Sequence, residues 1–354
     1  MAVWRSVKSH NSPLKANGLP ATSDTRLVQL HNWLAAHFGA RPFSLQPASA
    51  DASFRRYFRA RLDGESWIAM DAPPDREDSR PFVHVAALLR AAGVNAPQVA
   101  AQDLERGFLL LTDLGDTTYL AALNPGNADR LFGDAVEALL KWQLASRDGA
   151  LPPYDEALLG RECNLFPEWY VARHLAVTLT SVQQQTLSEM LTLIVARALA
   201  QSAVYVHRDY MPRNLMVTDP NPGVLDFQDA VHGPISYDLV SLFRDAFVSW
   251  EEERVLDWTA RYWEKAKRAR LPVTADFSEF YRDFEWMGLQ RHLKILGIFA
   301  RIHYRDGKHG YLEDTPRFLR YARAVAERYR ELGPLVRLLD QLEQLQPALT
   351  GNRK

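Results

Sequence analysis

Three side chains with oxygen atoms suited to acid–base and metal chemistry lie close together in the second half of the sequence. They are Asp209, Asn214 five positions later, and Asp226. A carboxylate such as Asp209 can orient and deprotonate an attacking hydroxyl group. The amide oxygen of Asn214 and the carboxylate of Asp226 are ligands that a hard cation such as Mg²⁺ prefers. Because phosphoryl transfer needs little beyond positioning and charge neutralisation, this set predicts metal-assisted phosphoryl transfer.

The chain between Asn214 and Asp226 has the composition of a short hairpin. Two strand-like runs flank a stretch that is dense in turn-forming residues, Asp219-Pro220-Asn221-Pro222-Gly223. Two short strands joined at this turn would bring Asn214 and Asp226 together. A D-x-x-x-x-N spacing alone occurs by chance in many proteins. The histidine that precedes it, His207, and the predicted hairpin make the combination specific.

The remaining sequence divides into an early part that mixes helices and strands and a later part that is mostly helical. In the early part, Asp24 is placed to cap a first helix, a second helix is predicted at 81–92, and strand-like runs occur at 56–62, 67–71 and 107–112. In the later part, long amphipathic stretches occur at 128–145, 181–201 and 277–305. This order predicts an α+β fold with two lobes, a small β-rich N-lobe at 24–115 and a large helical C-lobe at 116–354. Residues 1–23 are interpreted as a disordered leader.

Two motifs connect the chemical residues to a known superfamily. His207–Asn214 (HRDYMPRN) and Asp226–Ala230 (DFQDA) resemble the H-G-D-x-x-x-x-N and D-F-x-D-A motifs of the aminoglycoside phosphotransferase and choline kinase superfamily. Protein kinases carry a related H-R-D-x-x-x-x-N and D-F-G pair. Within the superfamily, Gly233–Asp238 and looser stretches resemble the bacterial N-acetylmuramate/N-acetylglucosamine anomeric kinases of cell-wall recycling, the looser stretches being 69–74, 165–170 and 291–299.

The resemblance implies a protein-kinase-like fold and an enzyme that uses ATP and Mg²⁺. By the same resemblance, Asp209 is the catalytic base, and Asn214 and Asp226 hold the metal ion. His207 is expected to anchor the catalytic loop, and Asp238 is expected to brace it. The implied reaction transfers the γ-phosphoryl group of ATP to the anomeric hydroxyl of N-acetylmuramate or N-acetylglucosamine, a step in peptidoglycan recycling.

The segment expected to bind ATP departs from the kinase pattern. The glycine-rich loop G-x-G-x-x-G aligns with Ala50–Arg55 (ADASFR), which has no glycine, and Met70 stands where kinases have a strand lysine. The helical partner of that lysine, a glutamate, is also missing, because none of the residues Phe82–His84 is acidic. One interpretation is a nucleotide-binding pseudokinase. The other is that Arg55 supplies the phosphate-binding cation, because a guanidinium is always charged and grips phosphate with two hydrogen bonds.

Two features of the predicted strands indicate which residues contact ATP. Alternate residues of a strand face the same side, so Arg55 and Arg59 are expected to point together and Arg56 the opposite way. Adenine is expected to bind backbone groups from Thr112 to Leu114, just beyond the end of the strand. The predicted ATP-binding residues are therefore Arg55, Thr112 and Leu114.

The candidates for acceptor recognition lie in two helical stretches. Glu168 and Trp169 offer a carboxylate beside an aromatic face, a pairing that suits sugars, although aromatic residues there are also typical of a core. In the stretch 284–303, Gln290, Lys294, Gly297 and Arg301 form a polar stripe at helical spacing, for which a solvated face is the ordinary explanation. Alternatively, a cation of this helix such as Arg301, or else Arg291, binds the carboxylate of N-acetylmuramate.

Composition and charge restrict the partners. The 354-residue chain has 42 lysines and arginines against 43 acidic residues, a formal net charge of −1. Non-specific binding to nucleic acids or anionic membranes needs a clear positive excess. The single Cys163 is typical of a reducing cytoplasm, and no apolar run is long enough to span a bilayer. We therefore expect a cytoplasmic monomer that acts on a small-molecule sugar, without nucleic-acid or membrane partners.

A kinase of another small alcohol or amine, such as an aminoglycoside, choline or ethanolamine, also fits the motifs. Cationic substrates of that kind usually need a strongly acidic cleft. The stretches 112–116 and 155–168 hold some acidic residues but no dense cluster. The sequence therefore favours a neutral or anionic sugar over a cationic substrate.

Overall fold

The computed structural model of the chain describes residues 24–39, 41–49 and 54–345. The predicted leader at 1–23 and residues 50–53 of the predicted phosphate loop lie outside the described residues. By their internal contacts the described residues form two compact units. The first runs to Pro125 and also contains Arg213–Asp229, and the second contains Gly126–Pro212 and the described residues from Ala230 onward. The division into an ATP-binding N-lobe at 24–115 and a catalytic and substrate-binding C-lobe at 116–354 stays a prediction.

The described chain has nine strands, which are β1 Ser44–Ser49, β2 Arg56–Leu62, β3 Glu65–Asp71, β4 Val99–Asp103, β5 Phe108–Thr112, β6 Ala203–Val206, β7 Leu215–Met216, β8 Gly223–Val224 and β9 Val231–Pro234. Its α-helices are α1 Thr25–Phe38, α2 Arg80–Ala91, α3 Tyr119–Ala122, α4 Ala128–Leu144, α5 Glu156–Leu165, α6 Ser181–Leu199, α7 Tyr237–Phe243, α8 Glu252–Arg268, α9 Phe277–Asp306, α10 Thr315–Arg328 and α11 Gly333–Leu345. A π-helix at Phe166–His174 continues α5.

Most of the first unit is built on a five-stranded antiparallel sheet in the order β1-β2-β3-β5-β4. Asp63 and Gly64 join β2 to β3 with φ of 49° and 85°, the left-handed geometry that a tight hairpin turn requires. Helix α1 covers one face of the sheet, and its apolar side chains share a core cluster with β2, β3 and β5. The predicted cap of α1 is present, because Oδ1 of Asp24 accepts from the Leu27 N–H at 3.1 Å.

The second unit is mostly helical, and the 30-residue helix α9 is its central element. Helix α9 is buried along most of its length and packs against α5, the π-helix, α6, α7 and α10. Strands β6 and β9 form a separate antiparallel pair at the ends of which the chain enters the predicted catalytic loop and α7. The predicted α+β fold, with a β-rich first part and a helical remainder, is confirmed.

Candidate active site

The β7–β8 hairpin of the first unit brings Asn214 and Asp226 together, as the sequence predicts. Leu215 pairs with Val224 in this hairpin, and the Leu225 N–H donates to the Asn214 carbonyl at 2.9 Å. The side-chain amide of Asn214 donates to Oδ2 of Asp226 at 3.2 Å. The hairpin therefore places the side-chain amide of Asn214 and the carboxylate of Asp226 side by side.

Gln228 is a member of this site that the sequence did not single out. Its side-chain amide donates to Oδ1 of Asp226 at 3.0 Å, so both carboxylate oxygens of Asp226 have amide partners. The donor set of one carboxylate and one amide oxygen fits a hard cation that completes its shell with water and phosphate oxygens. Among the described residues, His, Cys, Asp and Glu form no cluster of three or more that could hold a metal by themselves.

Phe227, the residue after Asp226, packs against helix α2 at the place where the expected glutamate is missing. The ring of Phe227 is fully buried and lies 4.7 Å from that of Phe82 on α2, measured between centroids. Met70, at the predicted lysine position, is also fully buried and pairs with Tyr57 and Leu109 in the sheet. Apolar packing thus occupies both places where kinases have their lysine–glutamate ion pair.

In the second unit, a buried carboxylate holds the backbone of the predicted catalytic loop. Asp238 at the start of α7 accepts from the backbone N–H groups of His207, at 2.7 Å, and of Arg208, at 3.0 Å. Burial raises the pKa of Asp238 to about 7, although both N–H groups favour the charged form. The His207 ring accepts from the Asp209 N–H at 3.3 Å through Nδ1. His207 and Asp238 therefore both bind backbone N–H groups of the predicted catalytic loop.

A second buried carboxylate, Glu162 on α5, also binds this loop, and sequence reasoning missed it. It accepts from Nη2 of Arg208 at 2.5 Å, from Nζ of Lys294 at 2.9 Å and from the hydroxyl of Tyr154. Lys294 donates in turn to the hydroxyl of Tyr237 at 3.0 Å. Burial alone would raise the pKa of Glu162, but the charges of Lys294 and Arg208 outweigh it and lower the pKa to about 2. No spacing signal marks this cluster, because its members come from four separate segments.

The three neighbouring arginines of the first unit have different partners. Arg56 contacts Asp24 and donates to Asp71 at 2.9 Å, so its carboxylate partners differ from Glu77, which pairs with Arg55, and from Asp113, which pairs with Arg59.

Arg59 is committed to the end of strand β5. Its Nε donates to Asp113 at 2.6 Å, and its Nη2 donates to the Gly115 carbonyl at 2.8 Å. Burial opposes ionisation of Asp113, but the hydrogen bond from Arg59 helps to lower its pKa. Arg55 instead donates to Glu77 at 2.9 Å. Arg55 and Arg59 therefore bind different carboxylates, Glu77 and Asp113.

The two predicted adenine contacts lie at the end of β5 and just beyond it. The Thr112 N–H donates to the Gln98 carbonyl at 3.0 Å, and the Gln98 N–H donates to the Thr112 hydroxyl at 2.9 Å. Leu114 follows outside any helix or strand and is half-buried. The backbone N–H of Thr112 is therefore already used by a neighbouring segment.

The predicted acceptor residues lie on the π-helix and on α9. Glu168 is exposed and Trp169 half-buried on the π-helix, and π-helical turns frequently occur at functional sites. Arg291 is only 3% exposed, and its Nε and Nη1 have no hydrogen-bond partner among the described residues. Arg301 is half-buried near the end of α9.

The polar stripe on α9 is not a solvated face, and that interpretation is wrong for three of its four residues. Gln290 and Lys294 are buried, and both donate to the buried carboxylate of Glu162. Gly297 is buried where α9 meets the junction of α5 and the π-helix, at Leu165. Helical periodicity could not show that a polar stripe faces a buried carboxylate instead of water.

The chain belongs to the phosphotransferase enzyme family, whose sequence model matches residues 44–273. This confirms the predicted superfamily, and with it the prediction that the chain is a phosphotransferase enzyme.

Named relatives cover almost the whole chain. The N-acetylmuramate/N-acetylglucosamine kinase of Pseudomonas putida is 54% identical over 90% of this chain and 97% of its own. The protein of the same name from Pseudomonas aeruginosa is 53% identical over 91% of this chain and 98% of its own. The predicted resemblance to this group of sugar kinases is confirmed.

Solved structures of similar fold include aminoglycoside phosphotransferase APH(2'')-Ib in its ADP-bound form, which is 14% identical with a TM-score of 0.56 over 83% of this chain and 97% of that one. An ethanolamine kinase of Plasmodium vivax is 10% identical with a TM-score of 0.60 over 88% of this chain and 91% of that one. At these identities the likeness shows the fold alone. In the described part of the chain, no helix is both long and apolar enough to cross a membrane.

Proposed function

We propose that this chain transfers the γ-phosphoryl group of ATP to the anomeric hydroxyl of N-acetylmuramate and N-acetylglucosamine, as a step in cell-wall sugar recycling. The observation that carries the proposal is the identity of 54% to a kinase named for these two sugars, over 90% of the chain. Membership in the phosphotransferase family implies a nucleotide as the phosphoryl donor. A cytoplasmic, monomeric enzyme stays our prediction.

Asp209 is proposed as the residue that orients and deprotonates the sugar hydroxyl. Its backbone N–H is bound to the His207 ring, and the two preceding N–H groups are bound to Asp238. These three hydrogen bonds fix the backbone on which Asp209 is carried. A fixed carboxylate contributes mainly by orientation, because positioning accounts for much of a phosphoryl-transfer rate.

Asn214 and Asp226 are proposed to hold Mg²⁺ through their side-chain oxygens. The ion would neutralise charge on the transferring phosphates. Gln228 supports this arrangement, because its amide donates to Asp226 and fixes the direction of the carboxylate. A partner that orients a metal ligand usually affects metal affinity as well.

The nucleotide is proposed to bind through Leu114, Thr112 and Arg55. Leu114 suits an adenine contact, since its backbone groups make no hydrogen bond within the described residues. For Thr112 the carbonyl is the proposed contact, because its N–H is already bound to Gln98. Arg55 is proposed as the cation that replaces the lysine missing at Met70.

The acceptor is proposed to be recognised by Glu168, Trp169, Arg291 and Arg301. Arg291 is the most informative of these, because Nε and Nη1 of its buried guanidinium have no hydrogen-bond partner among the described residues, which is energetically costly. An anionic group such as the carboxylate of N-acetylmuramate would relieve that cost.

The position of phosphorylation provides the test of the function. The purified protein is incubated with ATP, Mg²⁺ and each sugar, and the product is examined by phosphorus NMR. We expect a sugar 1-phosphate from both sugars and no turnover of their alditols, because reduction removes the hemiacetal hydroxyl. A 6-phosphate, or equal activity on the alditols, would contradict the anomeric assignment. Turnover of choline or an aminoglycoside in place of the sugars would indicate the other small-molecule kinases, and no turnover at all would indicate a pseudokinase.

A further inference from the structure

Arg55 and Glu77 form an ion pair in the first unit that lies outside the kinase motifs. Nη2 of Arg55 donates to Oε2 of Glu77 at 2.9 Å, and the two side chains are only 10% and 19% exposed. Arg55 is the last residue of the predicted phosphate loop and directly precedes β2. Glu77 lies shortly before α2, where its backbone N–H donates to the Pro73 carbonyl at 2.9 Å. The pair therefore connects the end of the loop to the segment that leads into α2.

The usual places for such a pair are filled by apolar residues. Met70 on β3 is fully buried, and Phe82 on α2 packs against Phe227. Neither Met70 nor Phe82 carries a charge, so neither can pair with a phosphate or with a charged residue of a partner helix. A protein cation for the nucleotide phosphates must therefore come from a position other than these two.

Among the three neighbouring arginines, partners and positions single out Arg55. Arg56 is bound to two carboxylates and belongs to the side that faces Asp24. Arg59 is bound to Asp113 at the end of β5. Only Arg55 belongs to the loop segment itself, and its carboxylate partner comes from the approach to α2, as the glutamate of a kinase comes from the corresponding helix.

A largely buried ion pair adds little to folding stability, because desolvation offsets most of the attraction. Its effect on geometry is larger, since a carboxylate that holds one edge of a guanidinium fixes the plane of the whole group. We propose that the Arg55–Glu77 pair takes the place of the kinase lysine–glutamate pair, with Glu77 as a positioning residue that holds Arg55 toward the ATP phosphates. The inference rests on the proposed kinase function and adds a residue to it.

The test compares Glu77→Gln, Arg55→Gln and the double variant in steady-state kinetics with varied ATP and saturating sugar. Removing the phosphate cation should lower kcat/KM for ATP by about 10² to 10³-fold in Arg55→Gln. Removing its positioning partner should cost about 10- to 100-fold in Glu77→Gln. Because Glu77 acts through Arg55, the double variant should be no worse than Arg55→Gln alone. The matched control is Asp78→Asn, which removes the neighbouring exposed pair with Arg80 and should leave kcat/KM unchanged.

Calorimetry separates this inference from the choice of sugar, because nucleotide binding needs no acceptor. Glu77→Gln should weaken binding of a magnesium complex of a non-hydrolysable ATP analogue and leave adenosine binding unchanged. Equal weakening of both ligands would show a purely structural role and overturn the proposal. The proposal would also be overturned if the losses in kcat/KM of the two single variants multiplied in the double variant. Faster turnover in Glu77→Gln would overturn it as well, because it would mean that Glu77 competes with phosphate for Arg55. If Glu77→Gln does not fold, Glu77→Asp should show the same selective loss in milder form, and equal loss for adenosine in that variant would overturn the proposal.

Discussion

Arg208 and Asp226, one in each predicted catalytic motif, both have left-handed backbone conformations, with φ of 75° and 63°. Residues other than glycine are uncommon in this region, and each such position costs on the order of 1–3 kcal/mol when the surroundings hold it there. At Arg208 the restraints are visible: Asp238 binds its N–H, Ser241 binds its carbonyl, and Glu162 binds its guanidinium. Strain of this kind clusters at active sites, which supports the assignment of the loop.

The role of Asp209 leads to a kinetic prediction. Asp209→Asn keeps the size of the side chain and removes the carboxylate, so we expect kcat to fall by about 10² to 10⁴-fold, the range for loss of a general base. The affinity for magnesium–ATP should be retained, because the proposed metal ligands are intact. Single-turnover kinetics and nucleotide calorimetry measure the two effects separately. Asp148→Asn, which changes an exposed carboxylate, provides the control. Near-normal kcat in Asp209→Asn would contradict the assignment of Asp209 as the catalytic base.

The buried cluster around Glu162 leads to a prediction about stability. Glu162→Gln leaves the charges of Arg208 and Lys294 buried without their carboxylate, and breaking such a pair costs about 3–5 kcal/mol. Chemical denaturation should show a loss of that size. Glu189→Gln on the exposed face of α6 should change stability by less than about 0.5 kcal/mol. A loss below 1 kcal/mol in Glu162→Gln would mean that the two cations find other partners.

Among the secondary-structure elements, those with clear local signals could be predicted from the sequence and those fixed by long-range packing could not. The β2–β3 hairpin has the Asp63–Gly64 turn and forms as predicted. Strand β4 was missed because its residues, VAAQD, are only partly buried and carry no apolar alternation. The π-helix was missed because a change from i+4 to i+5 hydrogen bonding leaves no mark in hydrophobic periodicity.

The junction of α5 with the π-helix depends on one glycine of α9. A Cβ built on Gly297 would lie 2.3 Å from the backbone carbonyl carbon of Leu165, closer than any real contact. Gly297→Ala should therefore destabilise the fold by about 1–3 kcal/mol, as overpacking of a core does.

Gly288 on the same helix provides the matched control. A Cβ there would meet nothing nearer than 3.7 Å, so Gly288→Ala should be neutral or stabilising by up to about 1 kcal/mol through helix propensity. Thermal unfolding of both variants decides the point. Equal midpoints for the two would show that α9 can shift away from Leu165.

At the scale of the whole molecule, the grouping of residues into compact units is the property that local patterns predict least. Arg213–Asp229 belongs to the first unit although the chain enters it from the second. Two backbone hydrogen bonds explain this, since Val217 donates to Thr117 and Val224 donates to Asn95. The motifs predicted to be catalytic could be recognised in the sequence, because their residues are close along the chain. Partners such as Glu77 and Glu162 could not, because only the folded backbone brings them into contact.

The dependence of stability on pH is a further property of the whole molecule, and buried carboxylates control part of it. Asp245 is fully buried, and its Oδ2 accepts from the Phe247 N–H at 3.1 Å. Burial raises the pKa of Asp245 from 3.8 to about 6, although that hydrogen bond and the charge of Arg291 oppose the rise. Such a shift corresponds to about 3 kcal/mol. Because the folded pKa is above the unfolded one, this stabilisation is complete below pH 3.8 and is lost as the pH rises through 6.

Asp245→Asn removes this titration, so the free energy of unfolding should fall less steeply between pH 4 and pH 7 than in the unmodified protein. The difference between the two proteins should change by about 3 kcal/mol across that interval, in favour of the variant at the higher pH. Denaturant titrations at several pH values measure it. Asp148→Asn, which removes an exposed carboxylate, should give a curve parallel to that of the unmodified protein. Parallel curves for Asp245→Asn as well would show that Asp245 is already ionised at pH 4, held in that form by Phe247 and Arg291.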